Sequence, residues 1–255
     1  MRKLILTALV AAGLIGAAGA AQASEGGAPL IKMPHSWDGV FGRYNKAQLK
    51  RGFQVFHDVC SNCHTLRLVA YRNLSEVGLT PDEIKVVAAE REIPDAPNDE
   101  GVVVNRPGRA SDKYIGPFPN EKAAAAANGG ALPPDLSLIN KARVSGPDYV
   151  YSLMMGYEDV APEGHPIPEG KFYNKFFPGN AISMPPQVMD DLVTYADGTK
   201  ATKEQLSADI VAFLNWAAEP ELDQRKGMGL YVMLFLGVLT ALFYALKRQI
   251  WADVH

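Results

Sequence analysis

The sequence holds two cysteines, and both lie in one short motif that can bind a cofactor. Cys60, Ser61, Asn62, Cys63 and His64 form the pattern C-x-x-C-H, which is the attachment signature of c-type haem. Two thiols separated by two residues at a helix end can each form a thioether with one vinyl group of the porphyrin. The imidazole of His64 then lies over the ring centre and binds the iron. The motif therefore predicts one haem c, attached through Cys60 and Cys63 and ligated by His64.

Other uses of a C-x-x-C pair fit the sequence less well. Zinc would require two further cysteine or histidine ligands, and the sequence has neither a second C-x-x-C nor an H-x-H pair. A disulfide across two intervening residues closes a very short loop and adds little stability. A redox-exchange dithiol and a structural metal-binding domain remain the alternatives. A haem stain that survives denaturation would exclude both.

The second axial ligand decides between an electron carrier and a haem enzyme. The candidates are His35, His57, His165, Met33, Met154, Met155, Met184 and Met189. Met184 is favoured because it stands in a loop without helical periodicity and is followed directly by two prolines, which stiffen the chain. His57 precedes the motif on the same predicted helix and cannot reach the opposite face of the haem. Met189 is the first alternative to Met184, and His165 is the second.

Histidine and methionine ligation together favour electron transfer over catalysis at the iron. This pair fills both axial positions and raises the reduction potential, so no substrate needs to bind the metal. The predicted mechanism is outer-sphere transfer of single electrons, without a general acid or base. A haem peroxidase with an open or exchangeable sixth site is the enzymatic alternative. Rapid binding of cyanide or carbon monoxide to the native protein would favour it.

Two helices are predicted to position the motif. Between Asn45 and His64, apolar residues recur at spacings of four, three and four, which gathers them on one face, and Asn45 can cap the start. A second helix is predicted from about Lys203 to Ala218, with Thr202 and Gln205 at capping-box spacing. We expect the two helices to cross and pack together. The first helix should contribute Gly52, Phe53 and Phe56 to the contact, and the second Leu206, Ile210 and Phe213.

The chain between these two helices is rich in proline and glycine and shows little strand alternation. Short helical candidates in this region are 81–91, 121–127 and 147–155. The predicted fold class is therefore all-α with long irregular insertions.

Both ends of the sequence predict membrane targeting. Residues 1–23 combine two basic residues, an apolar stretch and a small-residue cleavage pattern, which is typical of a secretory signal peptide. Residues 227–246 are twenty consecutive residues without a charge, the length that a helix needs to cross a bilayer. A first membrane helix and a buried core helix are the respective alternatives. We predict a signal peptide at 1–23, an exported cytochrome domain at 24–224, a single transmembrane anchor at 225–248 and a short cytoplasmic tail at 249–255.

The exported domain is acidic. Residues 24–224 contain 19 Lys or Arg and 27 Asp or Glu, a formal net charge of −8. Nucleic acid is excluded as a partner on this ground, because its phosphates attract the opposite charge. A basic protein partner is the natural match.

Beyond the motif, several segments of the sequence resemble the cytochrome c1 family. These segments are 48–56, 128–137, 146–153, 172–186 and 213–221, followed by the apolar tail helix. The resemblance extends over nearly the whole chain after residue 23. It implies a class I-type cytochrome c fold, haem c ligated by His64 and Met184, and further haem-contacting residues. Those further residues are Asn128, Pro134, Arg143 and Tyr149.

The resemblance gives two of these features a physical reading. Arg143 suits a haem propionate, because a guanidinium binds a carboxylate through two parallel hydrogen bonds; a solvated surface arginine is the alternative. Some bacterial members of the family carry an extra cysteine pair near the methionine loop. This chain lacks that pair, so we expect the loop around Met184 to be held by packing and prolines alone.

The resemblance also implies a place in an electron-transfer chain. Members of the family are the haem subunits of the cytochrome bc1 complex, quinol–cytochrome c reductase. There the Rieske iron–sulfur subunit delivers an electron to this haem, cytochrome b is a neighbouring subunit, and a soluble basic c-type cytochrome collects the electron. The chain would then be no enzyme on its own, with its head in the periplasm of a bacterial inner membrane. A membrane-tethered electron shuttle, or a haem subunit of another respiratory oxidase or reductase, is the alternative.

One acidic region is a candidate docking surface for the soluble cytochrome. It comprises Asp82, Glu83, Glu90, Glu92, Asp95, Asp99 and Glu100. In the family, acidic surface steers the basic partner, and we expect the same here. A solvated acidic face without a partner is the alternative.

Overall fold

The structure is a computed structural model that describes residues 28–254. The predicted signal peptide therefore lies outside the described residues, and the predicted domain boundaries remain predictions. Helices dominate this part of the chain. They are α1 (Lys46–Asp58), α2 (Pro81–Ala89), α3 (Glu121–Ala127), α4 (Ile139–Ala142), α5 (Gly146–Met155), α6 (Lys203–Ala218) and α7 (Leu222–Ile250). The helix-dominated fold that the sequence predicts is confirmed.

Three small antiparallel pairs of strands interrupt the irregular segments. β1 (Leu66–Ala70) pairs with β4 (Lys113–Tyr114), β2 (Glu92–Pro94) pairs with β3 (Asn105–Pro107), and β5 (Phe172–Tyr173) pairs with β6 (Ala181–Ile182). Strands of two to five residues are too short to show an alternating pattern, which is why the sequence did not predict them.

Helix α1 begins as predicted and ends earlier than predicted. The Asn45 side chain accepts hydrogen bonds from the backbone N–H groups of Ala47 and Gln48. The α-helix ends at Asp58, and the haem motif passes into a 3-10 turn at Cys60–Asn62. The buried Ser61 hydroxyl donates to the carbonyl of His57 at 2.7 Å. Such side-chain bonds to the backbone compete with the regular helical pattern, and the motif leaves the helix there.

The predicted crossing of α1 and α6 is confirmed. A Cβ placed on Gly52 would lie 2.0 Å from the carbonyl oxygen of Asp209, so only glycine permits this approach. Phe213 packs against Phe53 and Phe56, with ring centroids 5.7 and 5.6 Å apart. Leu206 and Ile210 lie in the same buried core.

A buried ion pair also links the two crossing helices. The carboxylate of Asp209 is fully buried and receives Nε and Nη2 of Arg51 at 2.8 and 3.2 Å. Gln205 donates to the same carboxylate at 2.8 Å, so its side chain does not complete the capping box with Thr202. The Thr202 hydroxyl nevertheless accepts from the Gln205 N–H and caps α6. A charge buried in this way is tolerated because hydrogen bonds replace its water.

Helix α7 is long and apolar enough to cross a membrane. It has 29 residues, which corresponds to a length of about 43 Å at ~1.5 Å per residue. Its large side chains between Met228 and Ile250 are exposed in the isolated chain. The predicted span 227–246 lies within this helix.

Candidate haem site

The imidazole of His64 is oriented by a backbone carbonyl from a distant segment. Its Nδ1 lies 2.8 Å from the carbonyl oxygen of Pro134. Because a carbonyl can only accept, Nδ1 carries the proton, and the lone pair is on Nε2. Burial lowers the pKa of His64, which keeps the ring neutral. Among residues 28–254, no hydrogen bond occupies Nε2, so this nitrogen is available to a metal.

Asp135 fixes the position of that carbonyl. Its carboxylate accepts from the Thr65 hydroxyl at 2.5 Å, the Arg67 N–H at 2.8 Å and the Ser137 N–H at 3.0 Å. Burial alone would raise the pKa of Asp135, but these hydrogen bonds outweigh it and lower the pKa. The loop that carries Pro134 is therefore bound to the segment that directly follows His64.

The two cysteines stand half-buried at the start and end of the motif turn, without a disulfide. The N–H groups of Cys63 and His64 both donate to the carbonyl of Cys60, at 3.1 and 2.9 Å. Burial raises the pKa of the Cys60 thiol to about 12, so an unmodified thiol would stay neutral there. Thioether formation at Cys60 would replace the thiol with a group that cannot ionise, so no charge would arise at this buried position.

Three residues that the sequence analysis did not assign to the site support the motif turn. Arg91 donates from Nη2 to the hydroxyl and carbonyl oxygens of Ser61, at 2.9 and 3.3 Å. His57 lies 2.8 Å from the Tyr114 hydroxyl and 2.9 Å from the Glu90 carboxylate. Arg91 and Tyr114 approach the motif from the segment just after α2 and from β4, so nothing in the local pattern relates these two residues to it.

Met184 follows β6 in a short hairpin and is half-buried. The half-buried Tyr157 donates from its hydroxyl to the Met184 carbonyl at 3.0 Å. The fully buried Asn174 side chain donates to the Leu153 carbonyl at 2.8 Å and accepts from the Phe176 N–H at 3.0 Å. The expectation that packing and prolines alone hold this loop is therefore incomplete, since hydrogen bonds also attach it to α5.

The rival ligand candidates lie in different surroundings. Met189 is 58% exposed and His165 is exposed. Met154 and Met155 pack against the core, as does Met33. His35 stacks on Trp37 and lies 3.4 Å from Asp148. Ligation of the iron by His64 and Met184 stays a prediction, with Met184 held in the better defined loop.

Three of the residues named by the family resemblance lie on or beside helices α3, α4 and α5, and their contacts with a haem stay predictions. Asn128 ends α3 and donates to the Ala124 carbonyl at 2.7 Å. Tyr149 is buried on α5. Arg143 is half-buried and donates to the Ala142 carbonyl at 3.3 Å. Within the described chain, no carboxylate pairs with Arg143, so its guanidinium has capacity for an anionic group such as a propionate.

The donor set as a whole fits a covalently held haem better than a zinc ion. Between residues 28 and 254, no cluster of three or more His, Cys, Asp or Glu side chains could hold a metal ion. The neutral imidazole of His64 follows Cys60 and Cys63 directly in the motif, and its Nε2 has no hydrogen bond in the described chain. The side chain of Met184 lies in a separate loop of the same domain. The fold and the site together are those of a membrane-anchored c-type cytochrome.

Comparison with known proteins identifies the family. The sequence model of the Cytochrome C1 family matches residues 35–254. Cytochrome c1 of Rhodospirillum rubrum is 56% identical, with 100% of this chain and 99% of that protein covered. The chain belongs to the cytochrome c1 family, and its prosthetic group is accordingly a haem c that serves electron transport.

Two further relatives carry names that mention a larger assembly. "Cytochrome b-c1 complex catalytic subunit, mitochondrial" of Candida albicans is 48% identical, over 89% of this chain and 78% of that protein. "Cytochrome b/c1" of Bradyrhizobium diazoefficiens is 43% identical over 98% of this chain, which spans only 40% of that protein's length.

Proposed function

We propose that this chain is the haem c subunit of a cytochrome bc1 complex. It accepts electrons from the Rieske iron–sulfur subunit and passes them to a soluble c-type cytochrome, with the head in the periplasm beside cytochrome b. The names of the Candida albicans and Bradyrhizobium diazoefficiens relatives support membership in such a complex. The acidic balance of residues 24–224 supports a basic acceptor.

The hydrogen bond from His64 to Pro134 is the observation that carries this proposal. It fixes the tautomer and turns the Nε2 lone pair away from the protein. A surface histidine with no metal to bind would have no need of a fixed backbone partner on one nitrogen and an unused lone pair on the other. The hydrogen bonds of Asp135 hold the carbonyl in place and so preorganise the ligand.

Each residue of the site then has a defined task. When bound, the haem supplies a centre that takes up and releases one electron. Cys60 and Cys63 retain it covalently, and His64 provides the nitrogen ligand. Met184 provides the sulfur ligand from a loop that Tyr157 attaches to the head. Arg143 neutralises a propionate through its unpaired guanidinium.

The acidic candidate docking surface contains acidic residues that form salt bridges and acidic residues that do not. Glu83 binds Lys50 at 2.8 Å and caps α2, which lowers the pKa of Glu83 to about 2. Glu90 and Asp95 likewise face His57 and Arg106, and Asp82 faces Lys85. Among the described residues, only Glu92, Asp99 and Glu100 of this surface make no salt bridge, whereas Glu90 pairs with a histidine. These three therefore supply its uncompensated negative charge.

The sulfur ligand is tested by replacing Met184 with leucine in the holoprotein. We expect Met184→Leu to abolish the sulfur-to-iron absorption of the ferric form and to lower the reduction potential, because the thioether stabilises ferrous iron. Met189→Leu is the matched control and should change neither property. The reverse pattern would assign the ligand to Met189, and no effect of either substitution would exclude both Met184 and Met189 as the ligand.

The partners are tested separately, in two measurements. Co-purification of the tagged chain with a b-type haem and an iron–sulfur protein is expected, and purification without them would favour a lone electron shuttle.

For the soluble acceptor, Asp99→Asn with Glu100→Gln should slow electron transfer severalfold at low salt and leave it unchanged at high salt. Glu163→Gln with Glu169→Gln removes the same charge from another exposed loop and should have a smaller effect. Equal effects of the two pairs would contradict the assigned docking surface.

A further inference from the structure

The start of α7 is attached to the N-terminal segment of the head by a single ammonium group. Lys226 donates from Nζ to the carbonyl oxygens of Trp37, Gly39 and Gly42, at 2.5, 2.6 and 3.2 Å. Three backbone acceptors satisfy all three N–H groups of a lysine. The turn at residues 37–42 is therefore held beside Lys226, the last charged residue before the apolar stretch of α7.

Tyr44 attaches the same segment to the junction of α6 and α7. Its N–H donates to the Asp223 carboxylate at 3.1 Å, and its hydroxyl donates to the Glu219 carbonyl at 3.2 Å. Asn215 in turn donates to that hydroxyl at 2.9 Å. Burial raises the pKa of Tyr44, so the hydroxyl remains a donor at any physiological pH. Residues 37–44 consequently keep a fixed position at the upper end of the predicted membrane span.

Two large apolar side chains project from this fixed turn with little protein contact. Val40 is 74% exposed and Phe41 is 79% exposed. Arg43 stands next to them, and a methyl group on Gly227 would lie 3.8 Å from its guanidinium. The turn thus presents apolar atoms and a cation at the level where α7 changes from charged to uncharged sequence.

We propose that the turn at residues 38–43 is a second membrane contact, in which Val40 and Phe41 enter the lipid interface beside α7. The occupant is the lipid bilayer and not a protein, because Lys226 holds the turn at the point where the apolar stretch of α7 begins. Arg43 suits the phosphate groups of the lipid interface, while the apolar pair lies at the boundary of the acyl chains. Two contacts at different points would restrict the tilt of the head, and with it the height of the haem site above the membrane.

Collision measurements on a spin label test this contact. The chain has no cysteine other than Cys60 and Cys63, which haem attachment consumes, so Val40→Cys or Phe41→Cys introduces the single labelling site. The labelled, full-length holoprotein is placed in phospholipid nanodiscs. Val160→Cys is the matched control, because Val160 is 80% exposed and lines a cleft with Lys203, at the opposite end of α6 from the anchor. That distance is about 24 Å along the 16 residues of α6.

Collisions with apolar oxygen report that the spin label lies in lipid, and collisions with a water-soluble nickel chelate report that it lies in water. We expect the ratio of oxygen to nickel collisions to be about tenfold higher at residues 40 and 41 than at residue 160. An equal ratio would show that the turn lies in water and would overturn the proposal. Protection from both reagents, in nanodiscs or in the assembled complex, would show that protein covers the turn and would also overturn it. None of these outcomes depends on which proteins exchange electrons with the haem.

Discussion

The two sides of the candidate haem site are built differently. The histidine side has polar support at every point: the Pro134 carbonyl on the ring, the Asp135 carboxylate behind that carbonyl, and Arg91 on the motif turn. The methionine side has a hairpin with strands of two residues, two prolines, one hydrogen bond from Tyr157 to the Met184 backbone and the hydrogen bonds of Asn174. No described hydrogen bond reaches the Met184 side chain.

This difference indicates that the predicted histidine ligand is held rigidly by hydrogen bonds, whereas the predicted methionine ligand depends on the shape of its loop. A histidine nitrogen must be aimed and kept in one tautomer, which requires specific hydrogen bonds. A thioether has no proton to place and is held by the shape of its loop. We therefore expect changes on the histidine side to affect folding of the head as a whole. Changes on the methionine side should release the ligand before the head unfolds.

The largest effect is expected from Gly52→Ala, beneath the histidine side. The new Cβ would lie 2.0 Å from the Asp209 carbonyl and 2.8 Å from Cβ of Phe213, so α1 and α6 must separate. We expect a loss of about 3 kcal/mol or more in the free energy of unfolding, measured by guanidinium titration in detergent. Gly229→Ala is the control, since nothing lies within 4 Å of that position. A stable Gly52→Ala protein would contradict the packing described for this crossing.

Asp135→Asn is expected to have the next largest effect and a characteristic pH dependence. The amide keeps the shape but cannot accept from all three donors, which costs about 2 kcal/mol at neutral pH. The pKa of Asp135 is lowered in the folded state. Its stabilisation is therefore present above the unfolded pKa and lost as the pH falls through the folded pKa. The stabilities of parent and variant should converge in acid, and a constant difference between them at every pH would contradict this role.

Gly156→Ala tests the packing of the methionine side, as Gly52→Ala tests the packing beneath the histidine side. A Cβ there would lie 2.5 Å from the Phe176 ring and 2.7 Å from Asn174 Oδ1. These two nearest contacts are side-chain atoms that can move, and the backbone oxygen of Ser152 is farther away, at 3.0 Å, so we expect a cost of about 1–2 kcal/mol. In a denaturant titration, the sulfur-to-iron absorption should disappear before the helical signal does. Simultaneous loss of both signals would show that the two sides unfold as one unit.

Tyr157→Phe should give the smallest of these effects. It removes one hydrogen bond, worth about 1 kcal/mol, from a hydroxyl whose pKa is raised by burial and which therefore stays protonated. We expect the sulfur-to-iron absorption to be lost at a lower temperature, while the global unfolding temperature changes little. Tyr173→Phe is the control, because no hydrogen bond of its hydroxyl is present in the described chain. Identical behaviour of the two variants would remove Tyr157 from the support of the loop.

Local patterns in the sequence were sufficient for six of the seven described helices and for predicting the attachment motif, but not for the four-residue helix α4. The periodic spacing of α1 and α6 and the glycine at their crossing were correctly interpreted. The short helix at residues 121–127 was predicted with its observed bounds. The end of α1 was predicted too late, because the Ser61 hydroxyl competes with the helix. These features depend on neighbours within a few residues, and such neighbours are visible in a sequence.

The sequence by itself predicted the haem chemistry, through the types and spacing of Cys60, Cys63 and His64, and the anchor, through its uncharged length. Only the tertiary structure decided which carbonyl orients His64 and which residues tie α7 to the turn at residues 37–42. The partner of His64 lies 70 positions away, and those of Lys226 lie 184 to 189 positions away. A backbone carbonyl belongs to every residue type, so only the folded chain determines which one is close enough to accept the hydrogen bond.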